Sequence, residues 1–161
     1  MKKLCNRALS FALIITMIAA MTVYGYAADM VVVYLTGSRQ ITAGTENTFT
    51  IALRNNTGIA GFNLEWKVMD ANGNDASSYF THTGNWLTVS SGGVLKDEDN
   101  ETIGALNRDG ITINWNTAEN VDGDGDVIDM KLSVSSAAYN GDYTLQLGLV
   151  YGNVTNFAGI R

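Results

Sequence analysis

Apolar and polar residues alternate over most of the chain beyond residue 30, and this period of two predicts β-strands. The pattern predicts about eight strands, at residues 30–35, 46–54, 61–68, 86–89, 102–106, 111–116, 128–134 and 143–151. Neither an amphipathic helix nor an internal repeat accompanies them. Because most of these strands have one apolar side to bury, the sequence predicts an all-β fold in which two antiparallel sheets pack face to face as a sandwich.

The first predicted strand differs from the others because it is apolar on both faces. Residues 30–35 read MVVVYL, without a polar residue at alternate positions. A strand of this kind is typical of positions that are covered on both sides. We therefore expect it to be buried on both faces or shared between the two sheets.

The densest acidic loop lies between two predicted strands, at residues 120–126. Its candidate metal ligands are Asn120, Asp122, Asp124 and Asp126, which match the first, third, fifth and seventh positions of a calcium-binding loop. Gly125 matches the sixth position, where such a loop bends sharply. The sequence thus allows Ca²⁺ at this loop, although nothing in the predicted fold requires a cofactor.

A plain turn is the favoured interpretation of the same loop. The twelfth position of the calcium pattern is Lys131, where a bidentate carboxylate is needed. Asp-Gly pairs are also the ordinary residues of turns between strands. Both interpretations, a solvated turn and a calcium site, remain open at this point.

The N-terminal segment, residues 1–27, has the layout of a secretory signal peptide. Lys2, Lys3 and Arg7 precede an apolar run that ends in the small residues Gly25 and Ala27. The run is short for a transmembrane helix, so a retained anchor is the less favoured alternative. We expect a mature domain of residues 28–161, without membrane insertion after cleavage, that is secreted or held at a bacterial cell surface.

The predicted mature domain is acidic and has no cysteine. The signal segment carries three of the ten basic residues and none of the sixteen acidic ones, so seven basic and sixteen acidic residues remain, a formal charge of −9. This charge argues against nucleic acid and anionic membrane surfaces as partners. Cys5 is the single cysteine and lies in the signal segment, so the domain must be stabilised by a packed core or by bound calcium rather than by a disulfide.

The titratable residues do not form a catalytic pattern. His82 is the only histidine, and nothing beside it in sequence suggests a nucleophile, so we expect a surface histidine next to Tyr79 and Phe80. One histidine without a mature cysteine cannot supply the usual zinc ligands. The acidic residues at 97–101 crowd a turn, where solvation explains them. We therefore expect that the protein is not an enzyme.

Exposed aromatic rings would offer another function, the stacking of sugar rings from a polysaccharide. Trp66 and Trp115 are in phase with core positions and are predicted to be interior. The remaining candidates for a sugar-binding platform are Trp86, Tyr79, Tyr139 and Tyr151. A secreted carbohydrate-binding module is thus an alternative function, and a structural adhesin or scaffold segment without a ligand is a third.

The order of these segments resembles a bacterial cohesin domain, the receptor module of cellulosome scaffolds. The similar stretches are VVVYLTGSRQITAGTENTFTIALRN, GIAGFNLEWKVMD, ITINWNTAEN, DVIDMKLSV and YTLQLGLVYGNVTN. They cover most of the chain after residue 30. The resemblance implies a sandwich with jelly-roll topology whose flat polar sheet face binds a dockerin, a small helical calcium-dependent module. The implied partners are dockerin-bearing secreted proteins in extracellular polysaccharide-degrading complexes.

The resemblance also implies which residues meet the partner. The positions carried over from the family are Gly61, Asn63, Leu106, Asn107 and Glu119. Asn63 stands where the family often has aspartate. Strand parity adds three outward residues to the same face, namely Glu65, Asn114 and Gln146.

The C-terminal end departs from the family. The sequence ends at Arg161, soon after the eighth predicted strand, whereas the family closes its sandwich with one more strand against the first. The resemblance therefore implies that the last strand is missing and that the first strand has an open, apolar edge.

Overall fold

The computed structural model describes residues 31–38, 40–151 and 154–160, and for residues 151 and 154–160 the backbone only. The predicted signal peptide lies outside the described residues. In the described part the chain forms ten strands, and a single turn of 3-10 helix, Ser77–Tyr79, precedes the fourth. The strands are β1 Val32–Gly37, β2 Glu46–Arg54, β3 Ile59–Asp70, β4 Phe80–Thr81, β5 Leu87–Val89, β6 Ala105–Asp109, β7 Thr112–Val121, β8 Gly125–Val134, β9 Tyr143–Tyr151 and β10 Val154–Ile160.

The strands form two five-stranded sheets in which every pairing is antiparallel. In sheet I the order is β1, β2 and β8, and both β4 and β5 pair with the remaining edge of β8. In sheet II the order is β10, β9, β3, β7 and β6. The predicted all-β sandwich of two antiparallel sheets with jelly-roll topology is confirmed.

The two sheets enclose one hydrophobic core made of the inward side chains of the alternating strands. Leu64, Trp66 and Val68 of β3 are at most 2% exposed, and Trp115 of β7 is fully buried. Sheet I faces them with Ile51, Leu53, Ile128, Met130 and Leu132, which are at most 1% exposed. Burial of one such side chain stabilises the fold by about 1.5–3 kcal/mol. The predicted interior positions of Trp66 and Trp115 are confirmed.

β1 lies at an edge of sheet I and buries only one of its faces. Leu35 is buried and Val33 packs against the core, whereas Val32 on the other face is 44% exposed. The prediction of a strand covered on both faces is therefore wrong. An uninterrupted apolar run shows that the side chains on both faces of a strand are apolar. It does not show whether the outward face is covered, because that depends on the tertiary structure.

The boundaries in the middle and at the end of the chain also differ from the sequence pattern. Residues 102–106 were expected to form a strand, but Thr102 makes only an isolated bridge with Lys96 and the strand begins at Ala105. β10 follows β9 as a hairpin in sheet II. Alternation does not predict β10 because its seven residues, VTNFAGI, mix small, polar and apolar side chains.

Residues 90–104 close the end of the sandwich where the acidic loop lies. Val94 N–H donates to the Asp126 carbonyl at 2.8 Å, and Leu95 is fully buried in the core. The carbonyl of Ile103 accepts the indole N–H of Trp115 at 2.8 Å. This segment therefore links β7 of sheet II to β8 of sheet I. Among the described residues, no helix has the length and apolar character needed to cross a membrane.

Candidate partner-binding face

The outer surface of sheet II carries a row of asparagines across three neighbouring strands. Asn63 of β3 pairs with Asn114 of β7, which pairs with Asn107 of β6. In the next row Gly61 pairs with Asn116. These positions alternate with the buried residues of the same strands, so their side chains lie on the outer surface. We call the surface formed by Gly61, Asn63, Asn107, Asn114 and Asn116 the amide face.

The side chains of the amide face are partly engaged with one another. Asn116 Nδ2 donates to Asn114 Oδ1 at 3.1 Å. Asn63 is half-buried, and its Oδ1 atom is buried without a hydrogen-bond partner among the described residues. An unpaired buried acceptor costs about 1–3 kcal/mol.

Gly61 keeps one end of the amide face flat. A Cβ atom at this position would lie 2.7 Å from the carbonyl oxygen of Trp115 and 3.4 Å from Asn116 Cβ. Such a contact would force β3 and β7 apart. Glycine is therefore required for the close approach of these strands, and it leaves no side chain that stands above the sheet.

Glu65 and Gln146 continue the polar surface away from the amide face. Glu65 pairs with Thr112 of β7 on one side and with Gly148 of β9 on the other. Gln146 pairs with Lys67. The observed register thus brings Glu65, Asn114 and Gln146 to the same side of sheet II as Asn63, as strand parity predicts.

Leu106 does not belong to this surface. It pairs with Trp115, whose side chain is fully buried, and it packs against the hydrophobic core. The expectation that Leu106 faces the partner is wrong, because its side chain lies on the inward side of β6. Its neighbour Asn107 has the outward parity and is exposed.

Glu119 lies in an irregular part of β7, next to the amide face but outside its regular register. Gly61 pairs with Asn116 and Ile59 with Val121, so residues 117–120 of β7 lie opposite the single residue Ala60. Extra residues on one strand form a bulge, which increases the local twist. Glu119 is exposed in this bulge, where it projects from the rim of the sheet rather than from its centre.

The acidic loop is held by a buried asparagine. Asn56 is 6% exposed, and its Nδ2 donates to the carbonyls of Val121 at 3.1 Å and Gly123 at 3.0 Å. In return, the Gly123 N–H donates to the Asn56 carbonyl at 3.0 Å. The Oδ1 atom of Asp124 accepts the backbone N–H of Asn56 at 2.9 Å. Protein groups therefore fix the course of this loop.

The structure does not bring the four predicted calcium ligands together. Asp124 is engaged with the Asn56 backbone, and Asp126 pairs with Ala52 as a residue of β8. The described residues, which include the whole loop from Asn120 to Lys131, contain no group of three or more acidic, histidine or cysteine side chains placed to hold a metal ion. Calcium at Asn120, Asp122, Asp124 and Asp126 stays a prediction from the sequence.

Trp86 and His82 form an internal aromatic cluster. Trp86 is 4% exposed, so it cannot stack on a sugar and its inclusion in a sugar-binding platform is wrong. His82 stacks on it with ring centroids 4.0 Å apart, and Trp66 meets both rings edge-on. His82 Nε2 also lies 2.9 Å from the Gly110 carbonyl. His82 is half-buried, and its aromatic neighbours are Trp86 and Trp66 rather than the expected Tyr79 and Phe80.

Tyr139 and Tyr79 are the described tyrosines that remain from the proposed platform. Tyr139 is 75% exposed, and its ring meets Tyr79 edge-on at 6.0 Å. Partial burial raises the pKa of Tyr79, with a smaller contribution from Tyr139. The side chain of Tyr151 lies outside the described residues.

Sequence reasoning missed two residues of this region. Asn116 belongs to the amide face, and its outward parity in the ITINWN strand was the available signal. Asn56 lies between the second and third predicted strands, where the sequence indicates no more than a connection. Its partners lie 65 to 68 residues away in sequence, so no local pattern points to them.

Comparison with solved structures shows the same architecture in known proteins. A chain of a type I cohesin–dockerin complex from Clostridium thermocellum is similar with a TM-score of 0.51 and 14% identity, over 81% of this chain and 87% of that chain. The fold is cohesin-like. A type III cohesin module from a cell-surface anchoring scaffoldin of Ruminococcus flavefaciens is similar with a TM-score of 0.42 and 14% identity, over 81% of this chain and 73% of that chain.

The cohesin-like assignment concerns the fold alone, because the sequence identities are low. A comparison with protein-family models gives no match, and no curated protein is similar in sequence. Of the positions carried over from the family resemblance, Gly61, Asn63 and Asn107 lie on one surface of this fold, whereas Leu106 packs against the core.

Proposed function

We propose that this protein is a non-catalytic recognition module that binds a dockerin-type partner through the amide face. The observation that carries the proposal is the alignment of Asn63, Asn114 and Asn107 across three adjacent strands beside the flat position Gly61. Such a surface offers hydrogen-bonding groups and little relief. It suits one face of a helix better than a small molecule, which needs a concave site.

The distribution of charge around the amide face suggests that charged residues at its rim orient the partner. The central residues are neutral amides, whereas three acidic residues and one basic residue lie on the flanking rows or on the rim, namely Glu65, Asp109, Glu119 and Lys67. Rim charges act mainly on the association rate and on orientation, and central groups decide affinity. A partner helix with neutral polar residues at its centre and basic residues at its margin would complement this arrangement.

The proposed setting is an extracellular polysaccharide-degrading complex at, or secreted from, a bacterial cell. This part of the proposal rests on the predicted signal peptide and on the cohesin-like fold. A non-catalytic role is supported by His82, which is stacked on Trp86 and contacts the Gly110 carbonyl rather than a nucleophile.

Calorimetry with a broad panel of purified dockerins, in calcium and in EDTA, tests the proposed function. We expect at least one dockerin to bind in calcium, and a variant with Asn63→Ala and Asn114→Ala to bind it more weakly by about 2 kcal/mol or more. A matched control carries Thr48→Ala and Lys131→Ala, which pair on the outer surface of sheet I.

Two results would contradict the proposal. If no dockerin in the panel binds, the partner class is wrong. If the sheet I control loses as much affinity as the variant of the amide face, the binding surface is elsewhere. Unfolding temperatures of both variants show beforehand that each is folded.

A further inference from the structure

A cleft of about 690 Å³ opens at the end of the sandwich opposite the acidic loop. Its walls come from both sheets, with Phe49 and Phe80 on one side and Val68 and Leu145 on the other. Ligand pockets in proteins commonly enclose about 300–1,000 Å³. The cleft is therefore large enough for a small organic ligand, and none of its residues belongs to the amide face.

The floor of the cleft is apolar and largely buried. Phe49 and Phe80 are each 5% exposed, so each presents only a small patch to a ligand. Tyr143 packs edge-on against Phe80 with ring centroids 5.6 Å apart. Its hydroxyl donates to the Tyr139 carbonyl at 3.0 Å. These contacts fix Tyr143 as one wall of the cleft.

The rim of the cleft is polar and rich in acceptors. Asp70 Oδ1 accepts the backbone N–H groups of Asn72 and Asn74, both at 2.8 Å, and its Oδ2 accepts Asn74 Nδ2 at 3.1 Å. A carboxylate has about four acceptor positions, so these three bonds orient Asp70 and leave acceptor capacity for a ligand. Gln40 and Asp142 are exposed at the same rim.

We propose that this cleft binds a neutral sugar residue. Carboxylates and amides at the rim pair with adjacent hydroxyl groups, while the half-buried side chains of Ile41 and Tyr143, rather than the buried floor, offer the apolar surface for the C–H face of a pyranose ring. Asp70 and Asp142 repel anionic ligands, and the chain as a whole has a formal charge of −6. A neutral sugar therefore fits this rim better than an acidic one.

Tyr139 extends the site beyond the cleft. It is 75% exposed, while its backbone carbonyl is held by the Tyr143 hydroxyl that lines the cleft. Large exposed aromatic rings with one polar end suit contact with an amphipathic ligand. We expect an oligosaccharide as the ligand, with a second sugar residue in contact with the exposed part of this ring.

Titration of the ¹⁵N-labelled protein with cellohexaose, xylohexaose or maltohexaose, at up to about 10 mM, tests the inference. We expect saturable shifts for the amides of Gln40, Asp142 and Thr144 with at least one of these sugars. Asp142→Ala and Gln40→Ala should each weaken binding about tenfold, the effect of losing a hydrogen bond or two. Asn107→Ala, on the amide face, should leave sugar affinity unchanged.

Several outcomes would overturn the inference. The first is a lack of chemical-shift changes with all three sugars. The second is chemical-shift changes that persist in folded Asp142→Ala and Gln40→Ala proteins. The third is binding of cationic glucosamine but of none of the three neutral sugars. Because the cleft shares no residue with the amide face, a negative result here leaves the dockerin test intact. A negative dockerin test likewise leaves the sugar titration interpretable.

Discussion

At the scale of single residues, Asn56 shows how one side chain determines the course of a loop. It donates two hydrogen bonds to the carbonyls of Val121 and Gly123, and its backbone N–H is accepted by Asp124. It is almost completely buried. Removal of its amide group would leave two carbonyls without these donors in a place with little access to water.

The variant Asn56→Ala is expected to lower the free energy of unfolding by about 1–3 kcal/mol, because buried acceptors lose their partner. Chemical denaturation measures the change. Asn140→Ala, at an exposed position whose side chain makes no hydrogen bond in the described part of the chain, is the matched control and should change stability by less than about 0.5 kcal/mol. Equal effects of the two substitutions would show that the Asn56 contacts do not hold the loop.

The sequence could not separate the roles of its asparagines. Asn56 is buried and structural, Asn63 and Asn114 are half-buried on a sheet, and Asn107 is exposed. Parity within a strand predicted the outward position of Asn114 because its neighbours alternate regularly. Asn56 lies outside any strand, so its burial depends on a loop far away in sequence, and no local rule predicts that.

At the scale of elements, the turn that follows β3 is organised by carboxylates. Asp70 accepts hydrogen bonds from Asn72 and Asn74, and Asp75 accepts the backbone N–H of Ser77 at 2.8 Å. The side-chain and backbone hydrogen bonds of Asn74 hold the pKa of Asp70 below its ordinary value of 3.8. The backbone hydrogen bond of Ser77 is the main cause that lowers the pKa of Asp75.

These lowered pKa values predict that the turn loosens in acid. A carboxyl group whose pKa is lower in the folded state stabilises that state above its unfolded pKa of about 4. The contribution disappears as the pH falls through the folded pKa. We therefore expect hydrogen exchange of the amides at 72, 74 and 77 to increase, relative to other exposed turns, below about pH 4.

A variant with Asp70→Asn and Asp75→Asn should lose most of this dependence on pH. Asp109→Asn, at an exposed position of β6, serves as the control and should retain it. If the control and the double variant respond to acid in the same way, the turn is not governed by these two carboxylates.

The strands differ in how well the pattern of apolar and polar residues predicts them. The long strands β2, β3, β7, β8 and β9 follow from alternation because each runs nine to twelve residues with one buried side. β4 has only two residues and β5 only three. β5 nonetheless falls within the predicted strand at 86–89, whereas β4 was not predicted, because its position depends on pairing with β8 and two residues carry no periodicity. The edge position of β1 does not follow from its apolar run, since sheet order is a tertiary property, and was implied only by the family resemblance.

At the scale of the whole molecule, the two proposed sites occupy different parts of the sandwich. The amide face lies on the outer surface of sheet II, whereas the cleft opens between the sheets at one end. The core between them is closely packed, with Trp66 and Leu64 nearly inaccessible. Two ligands would therefore bind without touching a common side chain.

We expect the two binding events to be independent, a prediction that rests on both proposals. The affinity for the sugar that binds best should change less than about twofold when the protein is saturated with a dockerin, because coupling requires a difference in contacts between two states. Calorimetry of the sugar with the free protein and with the preformed complex measures this ratio. A change of tenfold or more would show that the sites communicate through the sandwich.

The buried positions of the tryptophans determine the fluorescence of the native domain. Trp66, Trp86 and Trp115 are the three tryptophans of the chain, and none is more than 4% exposed. Their emission in the folded state should lie at short wavelengths and shift to the red when water reaches the indole rings. Since none of them belongs to the amide face or lines the cleft, tryptophan fluorescence should report unfolding and change little with either ligand, in contrast to the emission of Tyr139 and Tyr143 in the proposed sugar site.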